Sequence, residues 1–387
     1  MNILDLFKKT KKKTQMPENV LKEASKISIF GEGINYWRIY EPVIKELLKL
    51  NCPVRYYTMD KKDPILSIQH DLLKTDYIGK GEWAFYKLSN LKANILLTTT
   101  PNIGTKNYPI RKSPHVKSLI HLWHSFGDFT YSSYRKYSLD SFDEILTTGD
   151  YMEAQIRHIE QKRNLTKKKI TVCGVTYLEK MLEDIPNTPQ NNEQKTIIIA
   201  PSWGQKSLLH YYPSSFIQDL HDAGFKIIIK PHPQTLKAEK KFLDSYMQKL
   251  KHLKNLVWDT GEIQENYLAQ ADLMISDTSS VRLDFRVLYN KPVITFETPV
   301  IDFKDYEYDD LKELIANSPM DDEIGKKVCL DDIDNIVNIV NDYIENYDNS
   351  QLDFIINKYC ANYKKASNII ANYLINRKKE LDKEASA

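Results

Sequence analysis

Two histidines stand where short apolar runs give way to loops, and both have the chemistry of a neutral-pH acid or base. The first lies in Ser118-Leu-Ile-His-Leu-Trp-His-Ser-Phe-Gly127. Under period-2 alternation His121 and Trp123 share one face, and Leu122 and His124 share the other. His124 falls where the run stops and a loop with Gly127 begins. An imidazole placed there, with an ordinary pKa of about 6.5, can take a proton from a hydroxyl. The plainer reading is a histidine satisfied by loop carbonyls, and His121, inside the run, is left to it. The second lies in Lys226-Ile-Ile-Ile-Lys-Pro-His-Pro-Gln234. The isoleucines read as a buried strand, and Pro231 and Pro233 limit the backbone around His232. His232 is then placed to donate to a phosphate oxygen, with Lys230 two residues earlier. A turn histidine without a ligand is an equally good reading.

Hydroxyls gather in Ala271-Asp-Leu-Met-Ile-Ser-Asp-Thr-Ser-Ser-Val281, before helical spacing through Leu283, Phe285 and Leu288. Thr278, Ser279 and Ser280 therefore sit where a strand hands over to a helix amino terminus. Unpaired N–H groups, the positive end of the helix dipole and the hydroxyls make a phosphate cradle without glycine. Plain N-capping by Ser279 or Ser280 is the bland alternative, but capping needs one hydroxyl. Asp277 and Arg282 are counted with this set, Arg282 also reading as a solvent-facing residue. A fourth run, Ile197-Ile-Ile-Ala-Pro-Ser-Trp-Gly204, ends with Ser202 and Trp203 as candidates to line the same site, a core tryptophan being the commoner outcome. Gly31-Glu-Gly33 follows a strand-like run, but Tyr36 replaces the third glycine of a dinucleotide fingerprint, which disfavours NAD. Asp332-Ile-Asp334 has metal-ligand spacing but opens a helical segment, where acidic residues suit the dipole. No metal and no cofactor is expected.

These residues need elements to hold them, and the chain supplies an alternation. Strands are expected at Ile27–Phe30, Val54–Thr58, Ile95–Thr99, Ser118–Trp123, Glu144–Thr148 and Ile170–Cys173. Helices are expected at Tyr36–Leu50 and Tyr151–Arg163. After a polar stretch with two prolines, the alternation restarts. Strands at Thr196–Ala200, Lys226–Lys230, Leu256–Trp258, Leu273–Ser276 and Val293–Phe296 alternate with helices at Pro213–Ala223, Leu236–Leu250, Ile263–Ala271 and Val281–Tyr289. Asp331–Tyr347 and Phe354–Arg377 close the chain as helices. Nearly continuous apolar strands separated by helices imply parallel sheets covered on both faces. The expectation is an α/β fold of two Rossmann-like doubly wound domains facing a cleft. Its parts are a basic amphipathic segment (1–15), an acceptor-side domain (16–185), a linker (186–195), a nucleotide-binding domain (196–348) and closing helices (349–387).

Composition narrows the function classes. At 387 residues, 42% hydrophobic and 27% charged, the chain can bury more than one core. Lys+Arg 54 against Asp+Glu 52 leaves +2, so no overall field recruits nucleic acid. No stretch approaches the ~20 consecutive apolar residues of a spanning helix, and the apolar start is too short for a signal peptide core. Cys52, Cys173, Cys329 and Cys360 are scattered, which suggests neither a disulfide framework nor a zinc site, and a reducing cytoplasm is expected. In the first fifteen residues, Ile3, Leu4, Leu6 and Phe7 precede Lys8, Lys9, Lys11, Lys12 and Lys13. A helix with that layout can lie on an anionic membrane, each lysine contributing about 1 kcal/mol, although a frayed terminus is the plainer reading.

Taken in order, the strand-end segments resemble the CDP-glycerol glycerophosphotransferase family, which includes teichoic-acid primases and polymerases and some capsule enzymes. The family's Trp-His-Gly-x-Gly is matched by Trp123-His124-Ser125-Phe126-Gly127, and its Pro-Thr-Trp by Pro201-Ser202-Trp203. Its Lys/Arg-x-His-Pro is matched by Lys230-Pro231-His232-Pro233. Its Ser-Asp-x-Ser-Ser, with a following Asn-Lys/Arg-Pro, is matched by Ser276-Asp277-Thr278-Ser279-Ser280 and Asn290-Lys291-Pro292. The stretch from Gly174 to Leu182 fits loosely, with Glu179 where an Asp is usual. The resemblance runs from about Leu119 to Phe296. Ser125 replaces the usual Gly, and Thr130 stands near a position where Lys is common; both flank the presumed acceptor side. The length is nearer that of primase-like members than of polymerases.

The resemblance implies a GT-B-like architecture and transfer of glycerol phosphate from CDP-glycerol to a hydroxyl of a polyprenyl-linked or polymer acceptor, with release of CMP. Phosphoryl transfer asks mainly for positioning and charge stabilisation. His124 is then the base, and His232, Ser279 and Ser280 hold the diphosphate, with Thr278, Asp277, Lys230 and Arg282 beside them and Ser202, Trp203 and Gly127 lining the cleft. Such enzymes act at the inner face of the bacterial cell membrane, which favours the lysine-rich start as a peripheral anchor on an anionic surface. The alternatives are a GT-B glycosyltransferase using a nucleotide sugar, a transferase of another alditol phosphate such as ribitol phosphate, and a catalytically idle binding protein of the same fold.

Overall fold

The computed structural model describes residues 16–127, 129, 134–185, 194–261, 266–299, 304–315 and 320–384. The lysine-rich start, most of the expected linker and Thr130 lie outside these residues. The chain divides into two compact units. The first comprises 1–183, 304–312 and 357–387, and the second 184–303 and 313–356.

The first unit is built on seven parallel strands: β1 (Ile27–Gly31), β2 (Val54–Thr58), β3 (Leu73–Tyr77), β4 (Ala93–Thr98), β5 (Val116–Leu122), β6 (Glu144–Thr147) and β7 (Lys169–Val172). Their spatial order is β3-β2-β1-β4-β5-β6-β7, so the winding reverses between β1 and β4. The central strands β1 and β4 are buried along their whole length, as continuous apolar runs require when helices cover both faces. β3, Leu-Lys-Thr-Asp-Tyr, escaped the sequence reading because an edge strand buries one residue fully and shows no apolar run. Tyr40, on the helix Trp37–Lys49, donates its hydroxyl to Phe30 O (2.9 Å) and accepts from Thr99 N (2.7 Å), tying the ends of β1 and β4 together.

Two distant pieces of chain complete this unit. The helix Ala366–Glu384 is pinned by Arg377, whose Nε donates to the buried Glu144 of β6 at 2.5 Å. Ser367 N donates to Glu179 at 2.9 Å, so Glu179 serves the amino terminus of that helix. Residues 304–312 group with the first unit. The reason is electrostatic: buried Glu307 accepts from Ser138 N (2.9 Å) and pairs with Arg163 (2.5 Å), which also bonds Asp310 and Asp140.

The second unit holds six parallel strands: β8 (Thr196–Ala200), β9 (Lys226–Ile229), β10 (Val257–Trp258), β11 (Leu273–Ser276), β12 (Val293–Phe296) and β13 (Lys326–Val328). The order β10-β9-β8-β11-β12-β13 repeats the Rossmann pattern, with reversal between β8 and β11. The isoleucines of β8 and β9 are fully buried. Three expected helices are divided. Leu236–Leu250 becomes Pro233–Ala238 and Lys240–Leu250, broken at Glu239. The single closing helix Phe354–Arg377 becomes Leu352–Tyr359 and Ala366–Glu384, broken where Asn362 and Lys364 take positive φ. Asp331–Tyr347 opens as a tighter 3-10 turn, in which Asp332 accepts from Cys329 N at 3.3 Å.

Candidate active site

In the second unit the site grows from the point where the winding reverses. Ala200 and Ser276 are register partners at the carboxyl ends of β8 and β11. Beyond them the chain opens into Pro201–Gly204 on one side and Asp277–Ser280 on the other. Asp277 joins the two loops. Its carboxylate is fully buried and accepts from Ser202 N (2.7 Å), Ser202 Oγ (2.9 Å), Leu208 N (2.8 Å) and Ser279 N (3.3 Å). Burial pushes its pKa up, and these donors pull it back. The carboxylate thereby holds the two loops together. Ser202 is likewise committed to Asp277.

Arg282 is fully buried, which corrects the solvent-facing reading. Its Nη1 donates to Thr295 Oγ1 (2.9 Å) and its Nη2 to Asp321 (2.6 Å), inside the sheet–helix layer. Lys230 pairs with Asp259.

The hydroxyls behave differently. Thr278 is exposed and Ser279 and Ser280 are half-buried before the helix Val281–Tyr289. Ser280 occupies the N-cap position but makes no side-chain cap bond. Among the described residues none of these three hydroxyls bonds to protein, so plain capping does not account for them. His232 is the N-cap of Pro233–Ala238, and its Nδ1 accepts from Gln234 N at 3.1 Å. That bond assigns the neutral tautomer: the proton sits on Nε2, as a donor. Burial lowers its pKa, against the opposing pull of Glu239. Trp203 is not a core residue; it is 44% exposed and lies nearly parallel to His232, ring centroids 6.5 Å apart. Glu239, unmarked in the sequence, gathers the surroundings by accepting from Gly204 N (3.0 Å) and Thr235 Oγ1 (3.2 Å) and contacting His210 Nε2 (3.1 Å). Gly204 allows that turn with φ 92°.

In the first unit His124 follows β5, as its position at the end of the apolar run requires. Trp123 is buried and donates from Nε1 to Gly127 O at 3.1 Å, across a turn in which Gly127 has φ 104°. Gly127 is itself buried and shapes this loop, rather than lining an open surface. Tyr134, which no sequence signal singled out, lies between two imidazoles: its Oη is 3.3 Å from His124 Nδ1 and 3.0 Å from His121 Nε2. The ring of Tyr36 stands edge-on to His124 at 5.6 Å. Burial, helped by the nearby Arg38 charge, lowers the His124 pKa to about 4, and burial takes His121 well below its ordinary value. Both rings are neutral at pH 7.

One hydroxyl hydrogen joins these rings, so their tautomers are linked. If Tyr134 donates to His121 Nε2, it accepts from His124 Nδ1–H, and His124 Nε2 is bare, as a base requires. If Tyr134 donates to His124, Nε2 of His124 carries the proton. His121 Nδ1 is buried without a partner among the described residues. A bare nitrogen there costs less than an unpaired N–H, so the free protein favours the second arrangement and the base form has to be reached with substrate present.

Residues 97–376 match the family described as CDP-Glycerol:Poly(glycerophosphate) glycerophosphotransferase. The chain belongs to this family. It is accordingly a transferase of the CDP-glycerol glycerophosphotransferase type, a class associated with teichoic-acid synthesis. The structure of the wall teichoic acid polymerase TagF is similar at a TM-score of 0.56 and 15% identity, covering 94% of this chain and 91% of that one. A UDP-N-acetylglucosamine 2-epimerase is similar at 0.59 and 16% identity, over 91% of this chain and 95% of that one. The Methanocaldococcus jannaschii UDP-GlcNAc 2-epimerase, solved with UDP-GlcNAc and UDP, gives 0.56 and 13%, over 90% and 99%. At these identities the likeness shows the fold, which is GT-B-like. No curated protein matches the chain. Among the described residues no helix is long and apolar enough to cross a membrane.

Proposed function

We propose that this enzyme transfers glycerol phosphate from CDP-glycerol to a hydroxyl of a lipid-linked or polymer acceptor. The acceptor oxygen bonds to the phosphorus that bears the glycerol. The bond from that phosphorus to the bridging oxygen breaks, and CMP leaves with the electron pair. The family match supports this reading, because its span contains His124, His232, Ser279 and Ser280. The acceptor proton passes to His124 Nε2. His232 Nε2–H and the uncommitted hydroxyls of Ser279 and Ser280 donate to the diphosphate, aided by the helix dipole, and Thr278 and Trp203 flank them.

The decisive assay incubates the protein with CDP-glycerol, CDP-ribitol or UDP-sugars and an acceptor panel, and identifies nucleotide and product by mass spectrometry. CMP released with a glycerol phosphate-extended acceptor is expected. Release of UDP alone would make the chain a glycosyltransferase, and CMP from CDP-ribitol alone would change the alditol. In His124→Ala, turnover is expected to fall at least ~10²-fold while CDP-glycerol still binds, and unchanged turnover removes His124 from the mechanism. Residues 1–15 are proposed to hold the enzyme at the inner membrane face. Deleting them is expected to lower co-sedimentation with anionic vesicles, and equal sedimentation of both forms would refute the anchor.

A further inference from the structure

In the first unit, the loops after β1, β2 and β3 border an open pocket of about 480 Å³ whose wall includes no residue of the proposed chemistry. Glu32 follows β1, Asp60 follows β2, and Lys80 and Phe85 come from the segment after β3, with Asn35 and Tyr36 completing the wall. This is the side of a doubly wound sheet where ligands bind, beyond the strand carboxyl ends and beside the reversal of winding. The volume suits a ligand of a few hundred daltons. Tyr36 belongs to the cavity wall and also packs edge-on against His124, so the cavity adjoins the imidazole.

The lining discriminates between ligand classes. Two carboxylates face one ammonium, so an anionic group meets net repulsion. Carboxylates only accept hydrogen bonds, and their natural partners are hydroxyl donors. Asp60 already accepts from Lys62 N (2.9 Å) and Ile34 N (3.3 Å), which fixes the two loops and leaves further lone pairs. Glu32 is half-buried, and burial pushes its carboxyl above the ordinary range. The rings of Tyr36 and Phe85 offer faces for C–H groups, while Asn35 supplies an amide.

We propose that this cavity binds the uncharged, hydroxyl-bearing head of the acceptor, a polyol or sugar unit, and presents it beside His124. Its identity as the acceptor rests on the function proposed above; its chemistry rests on the lining.

The test uses the full chain and neutral methyl β-D-glucopyranoside as probe, read by saturation-transfer NMR, with sn-glycerol 3-phosphate as the anionic comparison. Transfer to the neutral probe is expected, falling at least about fivefold in both Glu32→Gln and Phe85→Ala, with CDP-glycerol affinity unchanged within about twofold by calorimetry. With a turnover acceptor, both variants are expected to raise its KM about tenfold at nearly constant kcat. Equal probe binding in wild type and both variants, with unchanged circular dichroism, would overturn the site, as would tighter binding of the phosphate-bearing probe. Failure of the proposed reaction appears elsewhere, as absent CMP release from the wild type, and leaves the probe measurement readable.

Discussion

The hydroxyl of Tyr134 lies 3.3 Å from Nδ1 of His124, and the same oxygen lies 3.0 Å from His121. A phenol in that position decides which nitrogen of His124 is bare. Replacing Tyr134 by Phe keeps the ring that packs on Trp123 at 4.8 Å but frees His124 from its neighbour. Turnover is expected to fall about tenfold with CDP-glycerol affinity unchanged, a loss of positioning rather than of binding. Imidazole ¹⁵N shifts of His124 should show its tautomer populations altered. Unaltered shifts and unaltered kcat would leave Tyr134 a packing residue.

The lowered pKa of His124 predicts two pH profiles. A base must be neutral, so kcat/KM, which reports the free enzyme, should hold down to about pH 5 and fall with a midpoint of about 4. In the proposed reaction the bound diphosphate favours the imidazolium, so the limb in kcat should lie at higher pH. Stability follows the same sign. The unfolded chain binds a proton at about 6.5 that the folded chain refuses until about 4, so this contribution is present above 6.5 and is lost as pH falls through that window. His121, shifted in the same direction, adds to the loss. Coincident kcat and kcat/KM limbs near 6.5 would contradict the buried, neutral ring.

Ser279 and Ser280 allow binding to be separated from folding. A capping serine costs about 1 kcal/mol when replaced by alanine. Ser280 makes no cap bond, so Ser280→Ala should leave the melting temperature within experimental scatter while weakening CDP-glycerol binding about 10–100-fold, the value of one hydrogen bond to a charged oxygen. Ser279→Ala should behave alike, because the Asp277 contact uses its backbone N–H and not its hydroxyl. Loss of stability with full affinity would return both residues to ordinary capping.

These cases show what the sequence can carry. β8, β11 and β12 match their expected limits because fully buried parallel strands are written as continuous apolar runs. The edge strands β3 and β13 carry lysines and bury less, so periodicity is silent about them. Strand-end residues were legible because position alone marks a site in a parallel sheet. What position does not reveal is which way a side chain turns. Asp277 and Arg282 flank the hydroxyls in sequence yet point into the protein, and a charged residue in such a loop reads the same whether it meets ligand or backbone. Tyr134 and Glu239 were invisible because their partners are joined to them only by the fold.

Asp277 therefore carries the sharpest structural prediction. Removing its carboxylate leaves the N–H groups of Ser202 and Leu208 without acceptors in a buried site. Each such group costs about 1–3 kcal/mol, so Asp277→Ala should destabilise the second unit by about 2–6 kcal/mol, visible as a lower unfolding midpoint in urea. Asp277→Asn retains one carbonyl acceptor and should fall between. Because Asp277 also fixes the loop of Ser279, affinity for CDP-glycerol should decline together with stability, unlike in Ser280→Ala. A variant that loses affinity at native stability would place Asp277 against the ligand and overturn the assignment of its carboxylate to the loop bridge.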